Sequence, residues 1–230
     1  MTDPRPPRSW PVALPAAVLW DMDGTLIDTE PYWMAEEGEL VARAGGTWTQ
    51  EDAVELVGNS LLRSAEIILA RTPVTGTPER VVQILLDGVV TRTRASMPWR
   101  PGARELLLEC ADLGVPCALV TMSYAALADV LLEDLPVGTF AAVVTGDQVA
   151  HGKPSPDPYL LAAERLGVDP RDCLALEDSP TGVRSATAAG VPTIGIPHVV
   201  PIPDVAGMVK VPGLAGLGLH DLAELAADLR

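Results

Sequence analysis

Residues 17–32 read AVLWDMDGTLIDTEPY. An apolar run stops abruptly at Asp21. Asp23 follows two residues later, then Gly24 and Thr25. A short apolar run without polar alternation fits a strand buried on both faces, as parallel sheets require. The question is why such a strand should finish by crowding acids around a glycine.

The chain around this stretch changes character twice. Over 30–97 the segments PYWMAEEGELVARAG, SLLRSAEIILART and PERVVQILLDGVVTRTRASM carry helical spacing of apolar residues. No strand of comparable strength interrupts them, so a small helical unit is expected there. Pro98, Pro101 and Gly102 then punctuate the sequence. Beyond them helices and strands alternate. The expected strands are VPCALVT, FAAVVTG, DCLALED and PTIGI, and the expected helices are ARELLLECADLG, YAALADVLLEDL, PDPYLLAAERLG, TGVRSATAAG and HDLAELAADLR. This alternation predicts an α/β fold with a parallel sheet covered on both faces. The expected division is a leader over 1–13, a Rossmann-like core over 14–29 and 98–230, and a helical cap over 30–97.

Ligands of open α/β sheets bind beyond the carboxyl ends of the strands. Asp21 and Asp23 stand at one such end, Thr121 at a second, and Glu177–Asp178 at a third. Lys153 lies in a loop after a fourth. Four separate segments are thus expected at one edge of the sheet.

Bulk composition narrows the partners. A chain of 230 residues, 48% hydrophobic and 20% charged, has enough apolar material for a substantial core. The net charge of −15 disfavours nucleic acid and anionic membranes, which require a basic face. A small anionic ligand responds to its local site and is not excluded. Lys153 and Lys210 are the only lysines. Cys110, Cys117 and Cys173 are odd in number and sit among apolar residues, so they read as reduced core thiols of a cytoplasmic protein. No apolar run of about 20 residues marks a membrane span.

The motifs DMDGTLIDT, Thr121 in LVTMS, Lys153 in HGKPSP, and EDSPTGVRSATAAG occur in this order. Together they make the chain resemble the haloacid dehalogenase superfamily, in its phosphatase and β-phosphoglucomutase-like branch with a helical cap. The resemblance covers roughly residues 16 to 198. It implies a nucleophilic Asp21 and an acid/base Asp23. It also implies Mg²⁺ held by the Asp21 carboxylate, the Asp23 carbonyl and Asp178, with Glu177 assisting. Lys153 would add a second positive charge, and the Thr121 hydroxyl would donate to a phosphate oxygen. Gly24 would permit a tight turn close to the phosphate. The opening acids are then a nucleophile, an acid/base and a metal site.

Within that superfamily several chemistries are disfavoured. Dehalogenases have no need of Asp23 with Glu177–Asp178. Phosphonatases need a cap lysine, and 29–97 contains none. The mutases carry a cap lysine before a glycine and an arginine three residues after it, where this chain has Val57 and Leu61 around Gly58. Their hinge histidine corresponds to Trp33. The expected activity is therefore phosphate monoester hydrolysis on a small phosphorylated metabolite. A phosphomutase and a non-catalytic phospho-ligand binder are the alternatives. Substrate contacts are expected from Gly24, Ser123, Trp33, Gly58, Asn59 and Arg63. A monomer or weak dimer is expected. Asp28 is expected to steady the turn into the cap. His151 and His198 read as structural or solvent-facing, with no partner acid that places either one in a catalytic triad.

Overall fold

The structure, a computed structural model, describes residues 12–229. Most of the expected leader over 1–13 therefore lies outside the described residues.

Six parallel strands form one sheet: β1 (Ala17–Trp20), β2 (Cys117–Val120), β3 (Ala142–Val144), β4 (Cys173–Glu177), β5 (Thr193–Gly195) and β6 (Met208–Lys210). Their spatial order is β3-β2-β1-β4-β5-β6. The chain winds outward from β1 to β3, then crosses back to lay β4 on the free side of β1. Register places Val18 beside Cys117 on one side and Ala17 beside Cys173 on the other. This reversal of winding opens a crevice at the carboxyl ends of β1 and β4.

Strand alternation distributes the apolar side chains over two faces. Val18 and Trp20 join one cluster with Leu106 and Leu107 of α5 (Ala103–Asp112), Leu127 and Leu131 of α6 (Ala125–Glu133), and Leu222 of α9 (Leu219–Leu225). Ala17 and Leu19 join the other with Tyr159 and Ala162 of α7 (Asp157–Leu166) and Ala186 of α8 (Pro180–Ala188). Both faces are covered, so β1 is fully buried.

Between β1 and β2 lie α1 (Glu30–Arg43), α2 (Gln50–Val54), α3 (Leu61–Arg71) and α4 (Pro78–Ala95). Thr49, Ser60 and Thr77 cap the last three, each side chain accepting from an N–H in the first turn. This helical insert has its own apolar cluster, including Val41, Leu56, Ile68, Val82 and Leu85. Trp33 and Tyr124 pack against both this cluster and the core. No strand occurs in the insert, as its spacing predicts.

The two linkers to the insert run side by side. The Asp28 N–H donates to the Pro98 carbonyl at 2.8 Å, and the Arg100 N–H donates to the Leu26 carbonyl at 2.8 Å. Ile27 and Trp99 face each other in an antiparallel bridge. Arg100 Nη1 lies 2.7 Å from His198 Nδ1, and His198 Nε2 lies 2.9 Å from Asp28 Oδ1. A guanidinium only donates, so Nδ1 accepts and Nε2–H faces the carboxylate. Asp28 thus steadies the entry to the insert through a histidine of the core.

Sequence patterning missed two elements. β6 has three residues, half-buried or exposed, at the edge of the sheet. So short a run carries no alternation to read. α2 has five residues and lacks a full amphipathic period. No helix among the described residues is long and apolar enough to cross a membrane.

Candidate active site

The carboxyl end of β1 continues one residue in register, with the Asp21 N–H donating to the Leu176 carbonyl at 3.1 Å. The chain then turns sharply. Leu26 and Ile27 donate to the Met22 carbonyl, and Gly24 takes φ 89°. A side chain at Gly24 would also collide with the Asp178 carboxylate, which follows β4. The glycine therefore lets two acidic strand ends approach each other.

Lys153 reaches this point from the loop after β3. Its Nζ lies 2.6 Å from Asp21 Oδ1, 2.6 Å from Glu177 Oε1 and 2.8 Å from the Val120 carbonyl oxygen. Three acceptors match the three donors of an ammonium. The Tyr159 hydroxyl donates to the same Glu177 oxygen at 2.6 Å. Asp23 accepts from Thr29 at 2.6 Å and from Thr121 at 3.1 Å. The Thr121 hydroxyl in turn accepts from the Ser123 N–H at 2.9 Å.

Negative charge exceeds positive charge here. Oxygens of Asp21, Glu177 and Asp178 lie within 4.8 Å of one another, and all three residues are buried. Asp21 Oδ2 is buried with no hydrogen-bond partner among the described residues. Burial alone would lower the Lys153 pKa, but Asp21 and Glu177 outweigh it and raise it. Burial pushes Glu177 up to about 7, with Lys153 pulling down and Asp21 pushing up. Burial, then Asp21 and Glu177, raise Asp178 well above its usual range. Burial also raises Asp23, partly offset by Thr29. One lysine cannot balance these carboxylates. An orphaned buried oxygen within a set of hard oxygen donors fits a divalent cation.

A stability test follows. Glu177, Glu30 and Glu37 have ordinary values of 4.5, and each is pushed to about 7. Between these values the folded protein binds protons that the unfolded chain has lost. Stability of the metal-free protein therefore falls as pH rises through that window. In chelator, the melting temperature should be lower at pH 8 than at pH 5.5, and a divalent cation at pH 8 should restore much of the loss. Equal melting temperatures in chelator would contradict this account.

A cavity of about 260 Å³ lies between the sheet edge and the insert. Asp21, Asp23, Ser123, Lys153 and Asp178 line it from the core, and Trp33, Gly58 and Asn59 line it from the insert. Thr121, Glu177 and Gly24 are not among the lining residues, but Thr121 bonds to Asp23, Glu177 bonds to Lys153, and Gly24 leaves room for Asp178. Arg63 is not among the lining residues. It is exposed and pairs with Glu66 at 3.0 Å, one helical turn along. Lys210 is likewise remote, paired with Asp204 at 2.6 Å.

Both histidines have acid partners away from the site. His151 pairs with Asp157 at 2.9 Å and His198 with Asp28. Neither lines the cavity. Glu30 and Glu37 do line it and were missed from sequence. A usable signal existed, because Glu37 follows Trp33 by four residues and precedes Leu40 and Val41. It sits on the apolar stripe of α1.

Residues 15–190 match the family of haloacid dehalogenase-like hydrolases. Hexitol phosphatase B of Escherichia coli O157:H7 is 30% identical, over 92% of this chain and 94% of its own. Fructose-1-phosphate phosphatase YqaB of Escherichia coli K12 is 32% identical, over 79% of this chain and 96% of its own. A solved structure of mutant CbbY from Rhodobacter sphaeroides in complex with xylulose-(1,5)bisphosphate superposes with a TM-score of 0.81 at 28% identity, covering 89% of this chain and 97% of that one. The chain belongs to the haloacid dehalogenase-like hydrolases and, within them, to the phosphoric monoester hydrolases.

Proposed function

We propose that the protein is a Mg²⁺-dependent phosphatase that hydrolyses a sugar phosphate or similar small monoester through an aspartyl-phosphate on Asp21. The observation that carries this reading is the Asp21 carboxylate. Lys153 holds one of its oxygens, while the other is buried without a hydrogen-bond partner among the described residues, and Asp21 lines the cavity. The names of the hexitol and fructose-1-phosphate phosphatases support the substrate class.

In the first step the free Asp21 oxygen attacks phosphorus. The bond to the leaving oxygen breaks, and Asp23 gives that oxygen a proton. Burial favours the protonated form of Asp23, and Thr29 and Thr121 fix its orientation. In the second step Asp23, now ionised, takes a proton from water as that water attacks phosphorus. Inorganic phosphate leaves and Asp21 is regenerated. Lys153 offsets the charge gathered on the phosphoryl oxygens throughout. The Asp21 and Asp178 carboxylates and the Asp23 carbonyl would hold the cation, with Glu177 acting through water. When bound, it supplies charge neutralisation between carboxylate and phosphate. We further propose that the insert is a cap domain over the site, pivoting at 28–32 and 97–102.

A phosphomutase of the β-phosphoglucomutase type is the second reading, favoured by the bisphosphate in the CbbY complex. A mutase must grip a distal phosphate with cap cations. Val57 and Leu61 line the cavity here, and Lys153 is the only cation among the lining residues. Water is then the expected acceptor. The protein should hydrolyse an aryl phosphate with Mg²⁺ and lose that activity in chelator. Given β-glucose 1-phosphate with a trace of bisphosphate, it should release inorganic phosphate faster than it forms glucose 6-phosphate. The opposite order would promote the mutase. No turnover of any monoester would leave a binding module.

A further inference from the structure

Adjacent glutamates on α1 have opposite environments. Glu36 is neutralised by Arg92 Nε at 2.6 Å, and Gly88 leaves room for it. Glu37 is only 5% exposed and has no cation partner among the described residues. Its single hydrogen bond comes from the Trp48 indole to Oε2 at 3.2 Å. The second oxygen has no hydrogen-bond partner among the described residues, and the residue lines the same cavity as Asp21. Glu30 lines the same space and is close enough for Glu37 to raise its pKa. The hydroxyl residue Ser64, 8% exposed, lines it too. Five carboxylates therefore border the cavity, and Lys153 is already committed to Asp21 and Glu177.

A carboxyl held in a mostly apolar wall with one free oxygen is an acceptor waiting for a donor. It is also a poor neighbour for another anion, since like charges brought together away from water cost several kcal/mol. We propose that Glu37 is the specificity-determining residue of the leaving-group subsite: it accepts a hydrogen bond from a hydroxyl or ammonium of the leaving group and bars a second anionic group. The assignment rests on the phosphatase reading above. It narrows the substrate to a monoester whose leaving group is neutral or cationic and rich in donors. Sugar bisphosphates and phosphorylated carboxylic acids are excluded.

The test compares three six-carbon 6-phosphates with the full-length Asp21→Asn protein and Mg²⁺, so that binding is read without turnover. Glucitol 6-phosphate presents hydroxyls, glucosamine 6-phosphate an ammonium, and 6-phosphogluconate a carboxylate. Calorimetry at pH 7.5, above the value of about 7 to which burial pushes Glu37, should give 6-phosphogluconate a Kd at least about tenfold weaker than glucitol 6-phosphate. A tighter Kd for glucosamine 6-phosphate than for glucitol 6-phosphate assigns the donor as ammonium, and the reverse assigns it as hydroxyl. Adding Glu37→Gln should shrink the gluconate gap to about threefold or less, while Glu36→Gln should leave it intact. Should the glutamine variant not fold, Glu37→Asp, which withdraws the carboxylate by one methylene, reads the same gap. Equal affinities for the neutral and anionic compounds, a gap that Glu37 variants do not change, or binding of none of the three would overturn the proposal. Loss of aryl phosphate turnover in the wild-type protein bears instead on the phosphatase reading, because these affinities do not depend on chemistry.

Discussion

Asp21→Asn is expected to lose turnover by at least about 10⁴-fold while the protein keeps its fold and its melting temperature. The amide is nearly isosteric but cannot form the phospho-enzyme. Stability should hold, or rise in chelator, for a specific reason. Asp21 stabilises the Lys153 ammonium but raises the pKa of Asp23, Glu177 and Asp178, so removing its charge relieves three acids at the loss of one ion pair. Lys153 keeps Glu177 as a partner when Asp21 is neutral. Activity and stability should therefore separate, which a merely structural aspartate would not allow. The measurement is steady-state hydrolysis beside a thermal melt, with mass spectrometry to exclude deamidation. Wild-type turnover in an intact Asp21→Asn sample would remove Asp21 as the nucleophile.

Lys153→Ala should behave differently, because it damages both properties. Loss of a charge aimed at the phosphoryl group should cost about 3 kcal/mol or more in kcat/KM. Removing one partner from a buried ionic cluster costs about 3–5 kcal/mol of stability, since the remaining charges are left unbalanced. Lys153 is 5% exposed and serves two acids at 2.6 Å each, so it qualifies. Lys210 is the internal control: it holds only a fully exposed Asp204. Lys210→Ala should match wild type in both assays. If Lys153→Ala matched wild type while Lys210→Ala did not, the site would have to be sought elsewhere.

The sequence made the core of the site legible because a parallel sheet converts order into proximity. Strands β1 and β4 are neighbours in register, so residues just beyond their last apolar positions must meet. That is why Asp21 and Asp178 could be assigned to one place. Their convergence with Lys153 follows from the same geometry, with a loop in place of a strand. The insert resisted such reading. Helical spacing puts both Glu36 and Glu37 on the apolar stripe of α1, so it signals that they are buried but not which of the two reaches the cavity. The answer depends on Arg92, 56 residues beyond Glu36, which claims that acid and leaves Glu37 to the cavity. Arg63 raises a related difficulty. A cation near a site in sequence can be captured by an acid one turn away, as Glu66 captures it here. The Thr121 hydroxyl bonds to Asp23, an arrangement that depends on how the turn after β1 folds back.

The paired linkers at 26–28 and 98–100 have a consequence for how such a chain can vary. The polypeptide leaves the sheet and returns to it at a single stitched point, fastened by Asp28, His198 and Arg100. To the sheet, everything threaded between those segments is equivalent to a short hairpin turn. Closing a longer detour costs little, about 0.6 kcal/mol for each doubling of its length. Away from the surface where Trp33, Leu86 and Val89 pack on the core, helices can therefore be lengthened, shortened or exchanged there without moving a strand. On the reading proposed here, the reacting groups and the groups that select the substrate lie on separate stretches of chain, joined at one seam.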